Sequence, residues 1–151
     1  MILTDLQKQM IEGKVCPYCK QPSNLVDSSV VYGISYGLVY LCQPCNAWVG
    51  VHKGTENAKG RLASKELRLV KIEAHMFFDI IWRNKLLTRE ECYQWLSGEL
   101  NLPAEYTHIA MFNLETCKKT VQLCKKRLND NRRCDLDFGV EPITPYYDLD
   151  N

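Results

Sequence analysis

Apolar positions change their period along this chain. Up to about residue 57 they cluster in short β-branched and aromatic runs, and beyond it they recur at intervals of three and four. The first pattern predicts strands and the second amphipathic helices. Three strands are expected. Leu25–Tyr32 is rich in Val and Ser and ends at Gly33. Tyr36–Cys42 reads Tyr-Gly-Leu-Val-Tyr-Leu-Cys, and Ala47–His52 reads Ala-Trp-Val-Gly-Val-His. Gly33-Ile34-Ser35 reads as a hairpin connection between the first two. Ahead of them, Leu3, Leu6 and Met10 stand at helical spacing, with Thr4 or Asp5 as a cap and Gly13 as a stop.

The second pattern predicts three helices. Leu67, Val70, Ala74, Phe77, Phe78 and Ile81 share a face and place a long helix over Ser64–Asn84. Thr88-Arg89-Glu90-Glu91 forms a capping box, in which the Thr88 hydroxyl and the Glu91 carboxylate satisfy each other's backbone donors. It opens a helix carrying Cys92, Trp95, Leu96 and Leu100, which ends before Pro103. Thr107–Phe112 reads as a short strand or a connection. Asn113 then caps a third helix with the stripe Leu114, Cys117, Val121, Cys124 and Leu128. From Lys118 to Arg133 there are seven basic residues and one acidic; from Cys134 onward five are acidic and none is basic. Pro142, Pro145 and Tyr146-Tyr147 argue against regular structure there, so residues 134–151 read as an acidic tail.

Composition narrows the class. Across 151 residues the apolar fraction is 46%, the charged fraction 25% and the net charge +1. These are the values of a globular protein, and no bulk field drives it onto nucleic acid or a membrane. No apolar run reaches the ~18 residues of a membrane span. Met1-Ile2-Leu3-Thr4-Asp5 lacks the basic and apolar regions of a signal peptide, so the expectation is a cytoplasmic protein. In that compartment paired cysteines serve as metal ligands more readily than as disulfides.

Those pairs carry the chemistry. Cys16-Pro17-Tyr18-Cys19 and Cys42-Gln43-Pro44-Cys45 offer four soft anionic donors separated by 22 residues, a set that suits tetrahedral zinc. The expected fold is therefore α+β: an N-terminal zinc ribbon, with a three-stranded antiparallel sheet, packed on a helical C-terminal half. Its divisions are residues 1–57, 58–133 and the tail 134–151. A closed four-cysteine shell leaves the ion no open position for catalysis. Cys92, Cys117, Cys124 and Cys134 read as packing residues.

Other positions are candidates for binding. Trp48, Gly50 and His52 share one face of the third strand, and Tyr36, Leu38 and Tyr40 one face of the second. Such a platform with Lys53 at its edge could stack bases, or it could simply pack on the helices. His52-Lys53-Gly54-Thr55 and the later Arg61 could hold a phosphate, or could form a solvated connection. His75 and Asp79 lie four apart on the long helix. With His52 they are the candidate catalytic residues of a phosphate-handling enzyme, and a local His–Asp structural pair is the competing interpretation.

The chain also resembles a phage and bacterial family described as a zinc-finger-containing domain of unknown function. The likeness rests on Cys16-Pro-Tyr-Cys19, Asp27 to Gly33, Ser35-Tyr36-Gly37, Cys42-Gln-Pro-Cys45 and Trp48 to Thr55. It continues through Gly60-Arg61-Leu62-Ala63, Glu66-Leu67-Arg68, Ala74-His75, Phe78-Asp79, Trp82, Tyr93 to Leu96, and His108-Ile109 with Phe112. What it implies is a zinc-binding fold in a phage or mobile-element setting, acting in the host cytoplasm, with a shared site near His52, Lys53, Thr55, Arg61, His75, Asp79 and His108. It implies no activity. The expected function is nucleic-acid binding through the ribbon sheet and its basic loop. A factor that binds a host protein and a small enzyme using His52, Arg61 and His75 remain alternatives.

Overall fold

The computed structural model describes residues 3–84 and 87–132. The acidic tail and Cys134 lie outside the described residues. The first element is α1 (Asp5–Ile11), capped by Thr4 in a reciprocal pair with Gln7. A three-stranded antiparallel sheet follows, β1 (Asn24–Asp27), β2 (Leu38–Cys42) and β3 (Ala47–Gly50), in sequential order. Register pairs Val26 with Val39 and Leu41 with Trp48. The C-terminal half is helical: α3 (Lys65–Arg83), α4 (Arg89–Leu100) and α5 (Leu114–Arg132). The fold is α+β.

Several expected elements differ. The first strand stops at Asp27, and Ser29–Tyr32 forms a single helical turn, α2. The cause is local: the Asp27 carboxylate accepts from Ser29 N–H at 2.8 Å and from Ser35 Oγ at 2.9 Å, which turns the chain out of the ladder. Gly33 ends the turn with φ of 77°, so it is a helix cap and not a hairpin residue. Between Thr107 and Phe112 there is no strand but a 3₁₀ turn, Ile109–Met111, after an earlier one at Ala104–Tyr106. The third strand ends at Gly50 and continues only as a bridge between Val51 and Ala58. The capping residues expected at Thr88 and Asn113 accept from their helices' backbone donors, and Ser64 does the same at the start of α3.

Two apolar clusters are buried. A small one gathers Cys16, Cys42, Ala47, Val49 and Leu62 around the cysteine turns. A large one, in the helical half, includes Leu67, Ala74, Phe78, Ile81, Leu96, Ile109, Cys117 and Cys124. Cys92 and Cys124 sit in it as buried thiols pushed up by desolvation, Cys92 to about 12, which is the behaviour of packing residues.

The seam between the clusters is built from cations and carbonyls. Trp48 and Ala63 exchange backbone hydrogen bonds at 3.2 and 3.0 Å, and Arg68 Nη2 donates to Trp48 O at 2.6 Å. Arg61 donates from its backbone to Ala110 O at 3.0 Å and from Nε to Met111 O at 3.2 Å. Lys71, 1% exposed, donates from Nζ to the same Ala110 O at 2.8 Å. Burial, with Arg68 and Arg61 nearby, pulls its amine down to about 7. At Gly60 the backbones touch: a Cβ there would stand 2.2 Å from Ala110 O.

Candidate metal centre and adjoining clefts

Two similar turns bring the four thiols together. In the first, Lys20 N–H donates to Cys16 O and Cys16 N–H to Gln21 O, both at 2.9 Å. In the second, Asn46 N–H donates to Gln43 O at 3.1 Å. Each turn closes on a left-handed residue directly after its second cysteine, Lys20 at φ 64° and Asn46 at φ 51°. Asn tolerates that conformation; for Lys it is a strained choice that the turn imposes. β2 delivers Cys42 from the sheet, and α1 with its Gly13 turn positions Cys16.

The four Sγ atoms all lie within 4.8 Å of one another, and Cys19 Sγ stands 3.6 Å from Cys42 Sγ. A disulfide needs ~2.05 Å. A tetrahedron with Zn–S bonds of ~2.3 Å has edges of about 3.8 Å, so the spacing fits zinc. The second turn of bonding fits as well. The Gln21 backbone N–H draws the Cys19 thiol below its usual value, as expected for a thiolate receiving a donor. Burial pushes Cys42 up, and burial with the neighbouring thiols takes Cys45 up to about 12. Burial and crowding thus favour the thiol form of Cys42 and Cys45; a divalent cation reverses that balance by deprotonating its ligands. Zinc is the cofactor, held by Cys16, Cys19, Cys42 and Cys45.

Two clefts flank β3. The larger is an open groove of about 830 Å³ on the sheet side, lined by Tyr32, Tyr36, Leu38, Lys53, Thr55, Glu56, Lys59 and Arg68 among others. Lys53 and Thr55 line it. Trp48 does not line it. Its indole donates to Tyr32 Oη at 2.9 Å, with Arg68 4.0 Å above its ring, so it braces the groove from behind.

The smaller cleft, of about 290 Å³, lies between the β3 loop and the helices. His52, Lys59, His75, Arg89, Tyr93 and His108 line it, with Ala110 and Met111. His52 and His75 thus converge, while Asp79 does not join them. Asp79 is buried and accepts from Trp82 Nε1 at 2.8 Å. Arg61 is turned to the seam, where burial lowers its pKa. Arg89, Tyr93 and His108 complete the cleft. Sequence reading placed His108 in the shared family site and passed over Arg89 as a helix-cap neighbour. The basic face of α5 is partly spent on packing: Lys125 sits 5.1 Å over Phe77 and 3.8 Å from Glu73, and Arg127 lies 4.9 Å over Trp95.

Among the described residues no helix is long and apolar enough to cross a membrane. Residues 12–127 match a protein family described as a zinc-finger-containing domain. No curated protein and no solved structure matches the chain.

Proposed function

From the premise that this chain belongs to the zinc-finger-containing domain family, we propose that it is a zinc protein that binds single-stranded nucleic acid along the ribbon groove. The groove itself carries this reading. Tyr32 and Tyr36 offer ring surface, Tyr36 with 61% of its area exposed, and Lys53, Lys59 and Arg68 stand around them. Stacking on aromatic rings between cations is how strands are held without sequence preference. Glu56 also lines the groove, and a strand would pass with its phosphates on the Lys53 and Lys59 side. A phage-type setting, with action in the host cytoplasm, belongs to the same reading and is supported by the resemblance to that family.

Fluorescence anisotropy with labelled single-stranded DNA, single-stranded RNA and duplex at two salt concentrations tests it. Binding to a single strand should weaken with salt, and Lys53→Ala should flatten that dependence. Tyr36→Ala should cost about 1–3 kcal/mol of binding. Absence of binding to every form at low salt ends the proposal.

One observation favours a second reading, attachment to a host protein. Val30 and Ile34, on and beside α2, are 65% and 66% exposed, next to Tyr36. Capture of one partner that survives nuclease treatment and is lost in Val30→Asp, with strand binding intact, would select it.

A further inference from the structure

Stacking on an aromatic ring is blind to which base is stacked. Bases are told apart by their edges, and the groove holds a side chain suited to that task. Among its described lining residues Glu56 is the acidic one, set with Tyr36 and Lys53 around one open space of about 830 Å³. A carboxylate there works against a polyanion unless it meets something other than phosphate.

The backbone carrying it is anchored. Glu56 sits in the loop after β3, which is closed by its own hydrogen bonds. His52 N–H donates to Asn57 O at 2.9 Å. Thr55 donates to His52 O from its N–H at 3.0 Å and from its hydroxyl at 2.8 Å. Asn57 N–H donates to Thr55 Oγ1 at 3.1 Å, so the Thr55 hydroxyl serves the loop. Tyr40 Oη donates to the Glu56 carbonyl and fastens the loop to β2. The Glu56 side chain stays exposed, and among the described residues nothing is paired with its carboxylate. Tyr36 is fixed as well: its N–H donates to Ser28 Oγ at 2.6 Å, and its ring meets that of Tyr32 edge-on with centroids 5.6 Å apart. Groups positioned before a ligand arrives lose less freedom when it binds.

We propose that Glu56 selects guanine in the strand bound along this groove, an inference that rests on the groove reading above and adds a base preference to it. An ionised carboxylate only accepts, through two oxygens side by side. On its Watson–Crick edge guanine offers two adjacent donors, N1–H and the N2 amino group. Adenine and cytosine place a ring-nitrogen acceptor beside their amino donor, and thymine and uracil flank N3–H with two carbonyls. Each of these turns a lone pair toward the carboxylate. With its face on Tyr36 and its edge on Glu56, guanine leaves the phosphates to Lys53. In a duplex that edge is taken by the pairing base, so the preference belongs to unpaired guanine.

The test uses the zinc-loaded full chain and an oligothymidine carrying one central guanine, hypoxanthine, adenine or cytosine, so that the strand stays unpaired. By fluorescence anisotropy the guanine strand should bind about tenfold more tightly than the adenine and cytosine strands. Hypoxanthine keeps N1–H and lacks the amino group, and should lose most of that gain. Glu56→Gln, at an exposed loop position, should bring the four strands within about twofold of one another. It should also tighten the plain oligothymidine, because a negative charge leaves the path of the phosphates. Glu56→Ala is the second variant and should likewise erase the preference. Salt-dependent binding that is equal for all four bases, tightened alike by Glu56→Gln, overturns the inference and leaves the groove reading in force: the carboxylate then only repels. A guanine preference undiminished in both variants overturns it too, since another group then reads the base. Absence of binding by every strand ends the groove reading and takes this inference with it.

Discussion

The ribbon and the helical half solve the same problem differently. In the ribbon, the buried cluster is Cys16, Cys42, Ala47, Val49 and Leu62, so two of its five members are metal ligands. In the helical half, Phe78, Ile81, Leu96 and Ile109 are fully buried in a cluster with no metal ligand. A sheet of four- and five-residue strands cannot bury enough apolar surface to offset its chain entropy. Zinc makes up the difference, since such sites contribute about 10–16 kcal/mol at neutral pH. One region is held by an ion and the other by packing.

Breaking the ion should show this most strongly. Strong chelation, or Cys42→Ser, should unfold the sheet and abolish strand binding while most helical signal persists. Circular dichroism and amide exchange, alongside zinc analysis giving one ion per chain, would check it. Loss of the helices together with the sheet would show instead that the seam, and not the ion, governs both. The converse substitution, Phe78→Ala, should cost about 3–5 kcal/mol in thermal or denaturant unfolding. It should leave the zinc content of the folded protein unchanged.

The seam sharpens the contrast with a smaller effect. Lys71 has its folded pKa lowered to about 7, against a model-compound value of 10.5. Below pH 7 both folded and unfolded chains carry the proton, and the folded chain bears the full cost of burying it. Between about pH 7 and 10.5 the unfolded chain holds more protons, so this group's contribution to stability rises with pH. Lys71→Met should remove that slope and stabilise the protein at pH 6 by about 1 kcal/mol or more. Ala110 O still accepts from Arg61 N–H in the variant. An unchanged slope would mean that the amine is not the group responsible.

How much of this was legible depends on how local each signal is. The two cysteine pairs, the Thr88–Glu91 box and the stripe from Leu114 to Leu128 carry their meaning within a few residues, and the fold class followed from them. The α2 turn was missed because Val30 and Val31 read as strand, while the deciding contacts run from Asp27 to Ser29 and Ser35. The third strand's parity rightly separated Trp48 from Val49, but no pattern in sequence shows that Tyr32 and Arg68 would cover the indole. The small cleft was half visible. His52 and His75 were grouped with Asp79 and Arg61, and His108 joined them through the family pattern, but the arrival of Arg89 and the departure of Asp79 and Arg61 depend on how α4 and the 3₁₀ connection pack, which no spacing encodes. Asp79 illustrates the opposite error. Helical spacing paired it with His75, and tertiary packing gave it to Trp82.

Gly60 has no charge, no ring and no part in either cleft, yet the two ways of holding a chain together meet where it stands. A single methyl group at that position would act as a wedge, prising the ribbon from the 3₁₀ connection at Ala110. Substitutions can be absorbed on either side of it, by metal in one direction and by oil in the other. At that one backbone-to-backbone touch there is nothing to give way, so the smallest side chain in the protein sets the relative placement of its two sites.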